Sequence, residues 1–159
     1  MISTAPILIA YDGSDTARRA VHEAAELFGS RRALVVTVWE PGLAYEASAM
    51  TADSTGLQPV PVDSGAAQEV DYASKAHADR VVGDGAALAK SLGLKAEALA
   101  VPDENTVAET IVELARKRGV AAVVVSSRGL SGLRARLEGS TSSPVLKHSP
   151  CPVLIVHDD

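Results

Sequence analysis

The chain predicts an α/β fold built on a five-stranded parallel sheet with helices on both faces. Three observations carry this. Short apolar, β-branched runs alternate with helix-periodic stretches in the order β-α-β-α-β-α-β-α-β. The runs are continuously apolar, as strands covered on both faces require. Each pair of runs is separated by enough residues for a right-handed helical crossover.

The elements follow in order. Pro6 to Tyr11 reads as the first strand, ending at Asp12-Gly13-Ser14-Asp15. Ser14 is an N-cap candidate, with Asp15 in the first helical turn. Ala17, Ala20, Val21, Ala24 and Phe28 recur at helical spacing, and Gly29 ends that helix. Ala33 to Trp39 is the second strand, Ala96 to Val101 a weaker third, Val120 to Ser126 the fourth and Val153 to His157 the fifth. Glu69 to Leu92 is a long Ala-rich helix whose middle is weakened by Gly83 and Gly85. Asn105 to Arg118 puts Val107, Ile111 and Leu114 on one face before Gly119 stops it; Thr141 to His148 is short. Residues 41–68 break the rhythm. Their prolines, small polar residues and lack of periodicity predict a mobile connection. With no internal repeat, residues 1–159 form one domain.

Composition bounds the function. Aromatics make up 3% of the chain, so stacking platforms for bases are scarce. The net charge is −5 and the pI about 5.3, which argues against a nucleic-acid binder. A lone cysteine, Cys151, excludes an internal disulfide and a cysteine-based zinc site; between two prolines it reads as a small buried hydrophobe. No signal-peptide pattern and no membrane-spanning run is found. A reduced, cytoplasmic protein with no membrane partner is expected.

The chemistry-bearing residues gather at predicted strand ends. In doubly wound sheets, ligands bind beyond the carboxyl ends of the strands, where strand order reverses. Asp12 stands there, either to accept hydrogen bonds from a ligand or to cap its own turn. After the fourth strand come Ser126-Ser-Arg-Gly129, nine residues, and Gly139-Ser140-Thr141-Ser142-Ser143 opening a helix. Glycines admit backbone N–H groups close to an anion, and a helix start offers unpaired donors. Arg128, Arg134 and Arg136 add positive charge, against Glu138. The plainer reading of the same segment is a solvated loop with a capped helix. Pro144 favours Ser143 as the cap, one turn late for a phosphate at Ser140, unless a looser turn spans Ser140 to Ser143. No GxxxxGK[ST] loop, no GxGxxG after the first strand and no metal-spaced histidine pair occurs.

Three segments carry a family resemblance. They are Ile7-Leu-Ile-Ala-Tyr-Asp-Gly-Ser14, Val123-Val-Val-Ser-Ser-Arg-Gly-Leu-Ser-Gly132, and Gly139-Ser140 through Leu146-Lys-His-Ser-Pro-Cys-Pro-Val-Leu-Ile-Val156. Together they resemble the universal stress protein family, of the single-domain UspA type. The resemblance implies a Rossmann-like, adenine nucleotide alpha hydrolase-like sheet in the order 3-2-1-4-5. It also implies a binding motif, G-x2-G-x9-G-[ST], in the ATP-binding branch. Gly129, Gly139 and Ser140 match its second glycine, third glycine and hydroxyl. Ser126 replaces the first glycine, adding a Cβ and making a positive φ less accessible. Thr141 stands where an apolar residue is common, and Asp12 and Val38 match positions that hold the adenine. The implied function is an ATP-binding stress-response regulator, with or without magnesium, at most a weak ATPase, acting on a regulatory protein partner. The alternative is the branch that binds no nucleotide and acts through protein contacts alone. In the implied order Val153 to Val156 is an edge strand, apolar throughout, and predicts a homodimer.

Overall fold

In a computed structural model, residues 4–42, 64–103, 105–127 and 142–157 are described. Five parallel strands form one sheet in the order β3-β2-β1-β4-β5. The strands are β1 Ile7–Ala10, β2 Arg32–Trp39, β3 Lys95–Pro102, β4 Ala122–Ser126 and β5 Val153–Val156. Between them run the helices α1 Asp15–Phe28, α2 Ser64–Ser91, α3 Val107–Arg118 and α4 Ser142–His148. The order is the expected one, and each expected element is present.

Side-chain alternation along the strands splits the core in two. Ile7, Ile9, Val35 and Val124 face α1 and α2, whereas Leu8, Leu34, Val123 and Val125 face α3 and α4. All eight are buried, which explains why the sequence shows unbroken apolar runs there. The helix faces are lined mainly by alanine: Ala17, Ala20 and Ala24 on α1, Ala78, Ala86 and Ala89 on α2. Small side chains let the helices sit close to a β-branched sheet surface without voids.

The caps set the helix ends. Ser14 Oγ accepts from the Ala17 N–H at 3.1 Å, as its N-cap position predicts. Gly29 ends α1 with its N–H on Ala25 O. Thr106 Oγ1 accepts from the Glu109 N–H, so α3 starts at Val107 and not at Asn105. Gly119 ends α3 in the left-handed conformation, φ +56°, and Val120 N–H then bonds Ala115 O. That closure is why β4 begins at Ala122 and not at Val120.

Three expectations need correction. The connection predicted over 41–68 is too long: α2 already begins at Ser64, so 64–68 are helical, and 43–63 lie outside the described residues. The start follows Pro61, is anchored by buried Ala67, and is tied back by the Gly42 N–H on Asp71 Oδ1 at 2.8 Å. The second correction concerns Cys151, which is half-buried against the α3–α4 side of the core and not fully enclosed. Pro144 lies in the first turn of α4, where its missing N–H costs no intrahelical bond. The helix therefore includes Ser143 and does not use it as the cap.

Candidate functional site

Strand order reverses between β1 and β4. From β1 the chain moves through α1 to β2 on one side; from β4 it moves through α4 to β5 on the other. In sheets of this topology the two connections diverge at the carboxyl ends of β1 and β4, which is where a ligand crevice is expected. That edge is locked by hydrogen bonds. The Tyr11 N–H donates to Val36 O at 2.8 Å, extending the β1–β2 ladder past Ala10. Thr37 Oγ1 donates to Tyr11 O at 2.6 Å from a buried position. On the other flank the Ser127 N–H donates to Val156 O, carrying the β4–β5 ladder past Ser126.

Asp12 opens onto this edge. Its Oδ1 accepts from the Ser14 N–H at 2.9 Å, so the turn-capping role weighed from sequence is real. The cap uses one carboxylate oxygen. Asp12 is exposed, and its other oxygen has no partner among the described residues. Gly13 follows at φ +83°, a left-handed turn that directs the chain from β1 into α1.

Val38 lies one residue before the end of β2 and is half-buried on the α3–α4 side of the sheet. Ser126 is the last residue of β4, paired with Val156 and 2% exposed. No non-glycine residue among those described has a positive φ. The loss of the motif's first glycine at Ser126 therefore carries no backbone strain. The extended strand end tolerates any residue, and the change adds only a Cβ and a hydroxyl. Asp12, Val38 and Ser126 thus share one sheet edge on three adjacent strands. Arg128, Gly129, Gly139, Ser140 and Thr141 lie outside the described residues.

Two polar groups at this edge were not singled out by the sequence. The Tyr11 ring is 1% exposed, and its hydroxyl has no partner among the described residues. Burial pushes its pKa above the ordinary 10.0, partly opposed by the positive charge of Arg18. The indole Nε1 of Trp39, at the end of β2, is buried and also has no partner among the described residues. The Tyr11 ring lies over Gly85 of α2, where a Cβ would come within 2.6 Å of the ring. Gly85 is thus a seat for the tyrosine, a role that helical periodicity does not reveal. No cluster of metal-ligating side chains is found among the described residues.

The universal stress protein family model matches residues 4–157. The chain belongs to the universal stress protein family. A universal stress protein of Bacillus subtilis, YxiE, is 33% identical over 150 residues, covering 94% of this chain and 97% of that protein. A solved universal stress protein in complex with cAMP is 25% identical, with a TM-score of 0.60 and 98% of each chain covered. UspA of Lactobacillus plantarum has the same fold, with a TM-score of 0.68, 20% identity, and 98% and 99% of the two chains covered. The family fold accounts for the strand order. No described helix is long and apolar enough to cross a membrane.

Proposed function

We propose that this chain binds an adenine nucleotide, ATP with or without magnesium, in the crevice between β1 and β4. The reading rests above all on one observation: Asp12, Val38 and Ser126 meet at the edge where strand order reverses. Asp12 keeps a carboxylate oxygen for the base or ribose. Val38 offers an apolar flank for adenine, and Ser126 stands beneath the ribose. Gly129 and Gly139 to Thr141 supply backbone and hydroxyl donors for phosphate, with Arg128 adding positive charge. The family relative in complex with cAMP supports the ligand class.

In this reading the protein is a cytoplasmic stress-response regulator and not a dedicated enzyme. At most it is a weak ATPase, because among the described residues of the proposed site none holds a water-activating base in a hydrogen-bonded arrangement. Nucleotide occupancy would then be read by a regulatory protein partner. The chain self-associates through β5, whose Val153, Leu154 and Ile155 are only partly covered and whose outer edge pairs with no described strand. Antiparallel pairing with a second copy would satisfy that edge in an isologous contact. The second reading, a dimer that binds no nucleotide, draws on the replaced glycine at Ser126. The extended backbone there weakens it.

The nucleotide content of the purified protein tests the proposal. Heat extraction followed by chromatography should release an adenine nucleotide in substoichiometric or higher amount. Extracts empty of nucleotide, from protein that also fails to take one up on dialysis, would favour the second reading.

A further inference from the structure

The net charge of −5 conceals a strongly uneven surface. In a parallel α/β sheet every helix ends at the amino edge of the strands, opposite the ligand crevice. In this chain three of the four helix ends are basic, α1 being the exception. Lys90 closes α2, Arg116 to Arg118 close α3, and Lys147 closes α4. Arg32 and Lys95 open β2 and β3 at the same edge. All of these side chains are exposed, and among the described residues none lies within ion-pair distance of a carboxylate. Against them stand Glu26 in the last turn of α1, Glu97, third in β3, and Glu23 and Glu113, each about one turn further in along α1 and α3.

Helix dipoles explain part of this, since cations near helix C-termini are favoured. They do not explain Arg32 and Lys95. These two are direct cross-strand partners, so like charges sit side by side on the sheet. Such a pair costs stability. A local cost without a structural return points to function.

Apolar side chains accompany the cations. Leu27, in the last turn of α1, is 62% exposed, and Leu146, near the end of α4, is 56% exposed. They lie at the same edge on opposite faces of the sheet. The cavity that reaches this rim at Lys117 runs along α3 past Glu113 and Glu109 to Val101 and Pro102 at the opposite edge, and its two carboxylates make it a poor seat for an acidic peptide. The cations are spread along the edge, over the ends of three helices and the starts of two strands. An extended anionic plane fits such a rim, and exposed leucines beside lysine and arginine fit a lipid interface better than a nucleic-acid backbone.

We propose, against the composition-based expectation of no membrane partner, that the amino edge of the sheet is a docking surface for an anionic lipid bilayer. The chain lies on the membrane through the basic rim, with the β1–β4 crevice facing away from it. Attachment is peripheral and electrostatic, reversed by salt, and does not depend on nucleotide binding.

Co-sedimentation with vesicles tests this. The full chain should pellet with vesicles of equal parts phosphatidylglycerol and phosphatidylcholine at about 50 mM salt, and be released at about 500 mM. It should stay in solution with phosphatidylcholine alone. Neutralising Arg116, Lys117 and Arg118 together to Gln should weaken binding on the order of 100-fold, at roughly fivefold per cation. The pair Arg32→Gln and Lys95→Gln, which relieves repulsion, should weaken it without loss of thermal stability. Leu27→Ser should lower vesicle binding further. Several results would overturn the proposal: no pelleting with anionic vesicles, equal pelleting with neutral ones, or no effect of both sets of neutral variants. Tighter binding to duplex DNA than to anionic vesicles, indifferent to Leu27→Ser, would assign the rim to nucleic acid and overturn the lipid assignment.

Discussion

Replacing Gly85 by alanine probes the packing beneath the proposed site. In an exposed helix interior, Gly→Ala stabilises by about 0.8–1 kcal/mol. At Gly85 the added Cβ would lie 2.6, 2.8 and 2.9 Å from Cδ1, Cε1 and Cγ of Tyr11. The close atoms run along one edge of the ring, from its root Cγ through Cδ1 to Cε1, so a movement of the ring tip alone gives no relief. The ring is fully enclosed between the sheet and α2, so either α2 or the end of β1 must shift. Overpacking of this kind costs about 1–3 kcal/mol. After the helix gain, the net effect is a loss of about 0–2 kcal/mol. Gly83, two residues earlier, has nothing within 4 Å of its added Cβ, and there the helix gain stands alone. The two variants should therefore differ by about 1–3 kcal/mol in opposite directions. For a chain of this length that is a separation of roughly 2–12 °C in Tm. Urea and thermal unfolding followed by far-ultraviolet circular dichroism measure both. In a Tyr11→Ala background the Gly85→Ala penalty should vanish. A Gly85→Ala variant as stable as Gly83→Ala would refute the packing argument, as would a penalty that survives removal of the ring.

Further expectations concern Tyr11, the phosphate loop and the edge strand. Tyr11→Phe removes a buried hydroxyl that lacks a partner among the described residues and should stabilise the chain by up to about 1–2 kcal/mol, read by urea midpoint. Because the folded pKa of Tyr11 is raised above 10.0, native protein holds its proton longer than the unfolded chain. Its contribution is therefore fully present below pH 10.0 and falls as pH rises through the folded value; a pH series of melts should show that slope in wild type and a shallower one in Tyr11→Phe. Gly129→Val and Gly139→Val should weaken nucleotide affinity at least tenfold, about 1.4 kcal/mol, with the melting temperature kept. Ser126→Gly should leave affinity equal or better, and loss of binding there would make the serine a required ligand. Ile155→Lys should convert a dimer to a monomer by light scattering; a monomeric wild type would rule out the β5 contact.

Much of the fold is legible in the chain because its signals are local. Ser14 and Gly29 bracket α1, Gly119 stops α3, and buried strands such as Ile7–Ala10 show as continuous apolar runs. The strand order is less so. It came from resemblance in three motif segments, and periodicity alone does not give it. What stayed hidden depends on tertiary neighbours. Ser64-Gly65 reads as a loop, yet α2 begins there, held by the Asp71–Gly42 bond across 29 residues. Gly85 reads as a weak point in a helix, yet it seats Tyr11. Ser126 reads as a strained substitution, yet its strand conformation suits any residue. The basic rim is invisible in a net charge, because it forms only when parallel topology gathers the helix ends and strand starts at one edge. The candidate site is legible at Asp12, Val38 and Ser126, which the fold brings to one edge. Its proposed phosphate-binding half, Gly129 and Gly139 to Thr141, stands on the motif alone.

Adenine-nucleotide binding at the β1–β4 crevice is the central claim, and calorimetric titration with ATP and magnesium tests it most directly. Wild type should give a saturable heat that Asp12→Ala reduces and Gly139→Val abolishes, with both variants folded. No heat from folded wild type at about millimolar ATP, or an undiminished heat in both variants, would contradict it.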